Sequence, residues 1–146
     1  MAPTEDTMRE DDAQKRVVIV MKLYGGEVYN MSQGYRPGGK RHGTTRQTKG
    51  IADLLIFFPR WKTHIWFEVK KRDDDWPLDN VEWCIRRPFY VKLQSADQAA
   101  FEAHCTACGV RYVLGGMEEA QEVCKALKRA DIRSRARTAL TVEEVT

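Results

Sequence analysis

The stretch GIADLLIFFPRWKTHIWFEVKK, residues 50–71, sets Asp53, Glu68 and Lys70 inside two otherwise apolar runs that read as strands. Charge in a strand ordinarily lies on a solvated face. Here alternation sends Ile65, Phe67 and Val69 to one side and Trp66, Glu68 and Lys70 to the other. A hairpin symmetric about PRWK places position 53 opposite position 68. The two carboxylates are then cross-strand neighbours, their Cβ atoms roughly 5 Å apart, with Lys70 diagonal to them. A slip of one residue would undo that pairing. Two carboxylates so close repel, and two arrangements can offset the repulsion. A hard divalent cation such as Mg²⁺ takes carboxylate oxygens together with water and substrate phosphate. Alternatively, Lys70 alone balances the pair as a structural charge cluster with no catalysis. The residues by themselves leave both open.

Ahead of Asp53 runs SQGYRPGGKRHGTTRQTKG, rich in glycine and turn formers. No acid occurs between Met31 and Ala52, whereas Arg36, Lys40, Arg41, Arg46 and Lys49 are basic. Gly38 and Gly39 would let backbone approach a phosphate closely, and the cations would contact further phosphates. A solvated surface loop explains the same residues when they are taken alone. Their position directly before Asp53 favours nucleic-acid binding.

These segments need elements to hold them. Thr7 and Glu10 have capping-box spacing, and Val17, Val18, Val20, Met21 and Tyr24 recur at helical intervals up to Gly25-Gly26. A short strand EVYNM, the basic loop, and the strands ADLLIFF and HIWFEVK follow. Residues 71–88 read as an irregular, mixed-charge segment before the apolar run FYVKL. Ser95 and Gln98, again at capping-box spacing, open a helix ending near Gly109. VRYVLGG is a last strand and MEEAQEVCKALKRA a last helix, acids first and bases last as the helix dipole prefers. The order α, β, β, β, α, β, α predicts a mixed sheet with helices packed on it. The expected divisions are a flexible start over 1–9, one domain over 10–130, and a tail over 131–146, basic then acidic, that is partly disordered.

A chain of 146 residues suits one domain with a real core. Its formal charge of +3 says little about partners by itself. No apolar run is long enough to span a bilayer, and the acidic start lacks the flanks of a signal peptide, so a cytoplasmic setting is expected. Cys84, Cys105, Cys108 and Cys124 include one CxxC, HCTAC, placed near a helix end without a second metal-ligand pair, which favours ordinary reduced thiols. His42, His64 and His104 are isolated. That argues against zinc hydrolases and nucleases built on paired histidines. Trp76, Trp83 and the Arg86-Arg87 pair could stack on or clamp DNA, or the tryptophans could simply pin the long segment to the body.

G-x-x-D in GIAD, E-x-K in EVK, a helix opening LQSADQ, an acid early in the first helix and a closing βα unit together resemble the PD-(D/E)xK nuclease superfamily. The order looks most like its VRR-NUC branch. The resemblance spans most of the chain, from the first helix to about Leu127. It departs from the pattern at Ala52, where a proline usually precedes the aspartate, and in the long segment between Lys71 and Tyr90.

The resemblance implies an α/β, restriction-endonuclease-like core, with a central mixed sheet flanked by helices. It makes Asp53 and Glu68 ligands of Mg²⁺ or Mn²⁺, with the Val69 carbonyl as an additional ligand. Lys70 would orient or activate the attacking water. The acid of the first helix would be Glu10 or, in another register, Asp12, and Gln98 would support the site. Both Glu10 and Gln98 are also explained as capping-box partners. The expected activity is metal-dependent hydrolysis of DNA, selective for branched or junction structures, in a prokaryotic or phage-infected cell. A homodimer would suit paired symmetric cuts. The rival reading is a nucleic-acid-binding module on the same fold that does not cut.

Overall fold

The computed structural model describes the backbone of residues 10–31, 50–71 and 83–145, and side chains over 12–31, 50–71 and 87–140. The chain order is α1 (Glu10–Leu23), β1 (Glu27–Asn30), β2 (Leu54–Phe58), β3 (Thr63–Val69), α2 (Trp83–Val91), α3 (Ala96–Ala107), β4 (Arg111–Gly115) and α4 (Met117–Val145). The strands form one sheet in the order β1-β2-β3-β4. β1, β2 and β3 are antiparallel, whereas β4 joins β3 in parallel after a crossover through α2 and α3. This is the α/β architecture expected, a central mixed sheet flanked by helices.

Alternation decides which face each strand residue takes. Leu54, Ile56 and Phe58 of β2, with Ile65, Phe67 and Val69 of β3, face Ala13, Val17, Val20 and Met21 of α1 and Ala120, Cys124 and Leu127 of α4 in one core. The Cys124 thiol meets the Met21 sulfur at 3.5 Å, and burial pushes that thiol's pKa up to about 12, so it packs there as a small apolar group. On the opposite face, Phe101 of α3 lies edge-on to Trp66 with ring centroids 5.2 Å apart. The carboxylate face is therefore the α3 face.

The hairpin turn is Pro59-Arg60-Trp61-Lys62, a 3-10 turn ended by Lys62 in the left-handed region, φ 53°. Phe58 pairs with Thr63 and Leu54 with Phe67, which is the symmetric register.

Two expected elements need correction. The segment read as irregular up to Pro88 contains α2, which carries Pro88 within it. Tertiary contacts hold that helix against its proline: Arg87 donates to both Glu102 oxygens at 2.9 Å, and the buried Tyr90 hydroxyl donates to Glu119 Oε2 at 3.1 Å. The last helix, expected to end near Ala130, continues as α4 to Val145, and residues 132–140 are exposed. Among the described residues, no helix is long and apolar enough to cross a membrane.

Phe67 is fully buried at the centre of the sheet. Phe67→Ala is expected to lower unfolding stability by about 3–5 kcal/mol in a denaturant titration. A loss below about 1 kcal/mol would place the core elsewhere.

Candidate metal and phosphate site

Asp53 is the residue before β2, and Glu68 and Val69 end β3. With Leu54 opposite Phe67, Asp53 comes to lie beside Glu68. Asp53 Oδ2 accepts the Val69 backbone N–H at 2.9 Å, and its carboxyl is within hydrogen-bonding reach of that of Glu68. Its carbonyl accepts the Met31 N–H at 2.7 Å, which ties it to the end of β1.

Glu68 is only 1% exposed, so its charge needs partners within the fold. Gln98 Nε2 donates to Glu68 Oε1 at 2.7 Å, and the Lys70 ammonium stands 3.8 Å from the same oxygen. Lys70 Nζ also donates to Gln98 Oε1 at 3.1 Å. That amide oxygen accepts the Ser95 N–H at 2.9 Å as well, while Ser95 Oγ accepts the Gln98 N–H at 3.1 Å. Gln98 thus caps α3 and contacts Glu68 and Lys70 with one side chain. The two readings of that residue are not exclusive.

A close backbone approach brings α3 to the site. Gly50 has φ +83°, and a Cβ there would stand 2.4 Å from the backbone carbonyl of Asp97. Only glycine gives both the dihedral and the space. This is the physical content of the glycine in GIAD. On the other side, the Lys70 N–H donates to the Gly115 carbonyl at 2.9 Å, and Gly116 N–H donates to buried Glu119 at 2.8 Å. Glu119 is the third residue of α4 and so completes half a capping box. Its signal, an acid three residues after Gly116, is present in GGMEE but was not among the sequence expectations.

Asp53, Glu68, Val69, Lys70 and Gln98 therefore meet in one place. Glu10 is the first residue of α1, its side chain lying outside the described residues, and Asp12 is exposed on α1. Arg36, Lys40, Arg41, Arg46, Lys49 and Trp76 lie outside the described residues, as do the side chains of Trp83 and Arg86. Arg87 is engaged with Glu102. Cys105 is buried and Cys108 exposed at the end of α3, both as free thiols.

Burial raises the Asp53 pKa above its ordinary value, outweighing the Val69 N–H, the Glu68 carboxyl and the Lys70 charge, all of which lower it. Tyr112, on the same face, has its hydroxyl pKa raised by burial first and by the Glu68 charge second, and so stays protonated. Among the described residues, the Lys70 ammonium is the cation beside the two carboxylates. Among the described residues, no group of three or more His, Cys, Asp or Glu side chains gathers as a metal centre. The donor set is two carboxylates with adjacent backbone, all hard oxygen, which suits Mg²⁺ or Mn²⁺ completed by water and phosphate.

No family model matches the chain, and no curated protein matches it in sequence. A solved structure described as "VRR_NUC domain" is similar to it at 20% identity and a TM-score of 0.48, covering 80% of this chain and 94% of that one.

A raised folded pKa means that the native state holds the Asp53 proton more tightly than the unfolded chain does. The associated stability is present below the ordinary value of 3.8 and is lost as pH rises through the folded pKa. At neutral pH, without divalent cations, ionised Asp53 therefore destabilises the fold. Asp53→Asn keeps an oxygen for the Val69 N–H and carries no charge. Its melting temperature in EDTA is expected to rise relative to wild type as pH goes from 4 to 7. A gap independent of pH, or one that shrinks, would contradict this electrostatic reading.

Proposed function

We propose that this chain is a metal-dependent nuclease that hydrolyses phosphodiester bonds in DNA through Asp53, Glu68 and Lys70. The observation that supports the reading is the pairing of Asp53 with buried Glu68, with the Lys70 ammonium 3.8 Å from a Glu68 oxygen. Two adjacent carboxylates offer hard oxygen ligands to a divalent cation.

Asp53 and Glu68 would hold the ion, with the Val69 carbonyl as a further ligand and Glu10 as the acid from α1. When bound, Mg²⁺ or Mn²⁺ supplies Lewis acidity toward the phosphate and a water acidic enough to serve as nucleophile. Lys70 is held between Glu68 and Gln98, so its ammonium can orient that water and offset charge gathering on the scissile phosphate. Gln98 fixes the positions of both side chains through the start of α3.

Arg36, Lys40, Arg41, Arg46 and Lys49 supply the phosphate contacts that the substrate backbone needs. Their segment leaves after Met31, bonded to the Asp53 carbonyl, and rejoins at Gly50, packed on α3. Both its ends are therefore at the site. Branched or junction DNA is the preferred substrate in this reading, with two copies making paired cuts.

Labelled junction, flap, duplex and single-stranded DNA, incubated with Mg²⁺, Mn²⁺ or EDTA, test it. Cutting is expected only with metal. Lys70→Ala is expected to lose about 10²–10³-fold, and Gln98→Ala about 10–100-fold. A wild type that binds these DNAs but leaves them intact with either metal would instead support the non-cutting binding module.

A further inference from the structure

The sheet face that carries the carboxylates continues beyond them. By register, Asp53, Leu55 and Phe57 share a face with Glu68, Trp66 and His64. β1 adds Tyr29 opposite Leu55 and Glu27 opposite Phe57. Phe101 of α3 lies against Trp66. Farther from the carboxylates the face opens: Tyr29 is 52% exposed, Phe57 40%, and His64 is exposed as well.

Those three rings form one run across three strands. Tyr29 meets Phe57 edge-on at 5.7 Å, and Phe57 meets His64 at 5.8 Å with their planes tilted by 35°. At about 3.3 Å per residue, Tyr29 lies roughly 7 Å along the strand from Asp53, and Phe57 roughly 13 Å. That is within reach of the first few nucleotides beside a phosphate held at Asp53 and Glu68.

Nucleobases are flat and stack on aromatic rings, but in a duplex their faces are already covered by neighbouring base pairs. A run of exposed rings therefore fits unpaired bases. The surrounding charges agree with a polyanion. Exposed Arg60 and Lys62 occupy the hairpin turn at one end, and Lys70 and Lys71 follow β3 at the other. Glu27, next to Phe57, disfavours laying phosphates directly over the rings and leaves the bases to face them.

We infer that Tyr29, Phe57 and His64 form a stacking platform for unpaired bases of a nucleic-acid strand that crosses the sheet from the Asp53–Glu68 site. The substrate then carries a single-stranded stretch beside the scissile phosphate. That last step rests on the nuclease reading, whereas the binding surface stands without it.

The test is fluorescence anisotropy in EDTA with a short labelled oligothymidylate, an abasic strand of the same length, and a duplex. The abasic strand keeps the phosphates and removes the bases. Wild type is expected to prefer oligothymidylate over the abasic strand by about tenfold or more. Tyr29→Ala/Phe57→Ala is expected to bring that ratio near one while leaving abasic affinity unchanged, and Tyr29→Phe is expected to keep it. Should the double variant melt early, Phe57→Leu removes the ring and retains apolar bulk. Equal binding of thymidylate and abasic strands by wild type, a preference for duplex, or a ratio that survives loss of the rings would overturn the platform. Cleavage in Mg²⁺ is measured in parallel. Cutting without base preference overturns the platform alone, and base preference without cutting overturns the nuclease reading alone.

Discussion

Two carboxylates set side by side where β2 begins and β3 ends are the constraint around which the remaining contacts are arranged. Neither would be stable there alone. Glu68 is buried on the α3 face, and Asp53 is held beside it by the Val69 N–H of the neighbouring strand. Burial disfavours the ionised form of Asp53 and raises its pKa, outweighing the hydrogen bonds and the Lys70 charge that lower it. The amide of Gln98 and the ammonium of Lys70 stabilise the pair. Buried charge gathered at one place in a fold is where a functional site is expected.

The scaffold holds this arrangement through close backbone contacts joined to side-chain links. Gly50 lets the start of α3 touch the loop before Asp53, so that the residue capping α3 can reach Glu68. Gly115 accepts the Lys70 N–H, and the adjacent Gly116 is anchored by Glu119, itself bonded to Tyr90 of α2. The five elements around the site are therefore linked in a circuit: β3 to β4, β4 to α4, α4 to α2, α2 through Arg87 and Glu102 to α3, and α3 through Gln98 back to β3. In the nuclease reading proposed above, rigid support of this kind would keep the catalytic groups within the narrow tolerance that phosphoryl chemistry requires.

Much of this was legible in the residues because it depends on short-range rules. A four-residue turn between two alternating strands set the hairpin register, and the register set Asp53 opposite Glu68. Ser95 and Gln98 announced the start of α3 by their spacing. α2 was hidden because Pro88 and the charges around it mask helical periodicity, and because its anchors, Glu102 and Glu119, lie far along the chain. The close approach at Gly50 was equally invisible, since it depends on where Asp97 arrives in space. The extension of α4 carries an exposed, mostly polar surface, so hydrophobic patterning gave no signal for where the helix stops.

The central claim is that Asp53 and Glu68 together hold a divalent cation. Its most direct test is a calorimetric titration of Mn²⁺ into the metal-free protein, beside Asp53→Asn, which leaves the hydrogen bond from Val69 in place. The account expects saturable binding by wild type at neutral pH, lost or weakened at least tenfold in the variant. Binding of equal strength in both proteins, or none in the wild type, would contradict it.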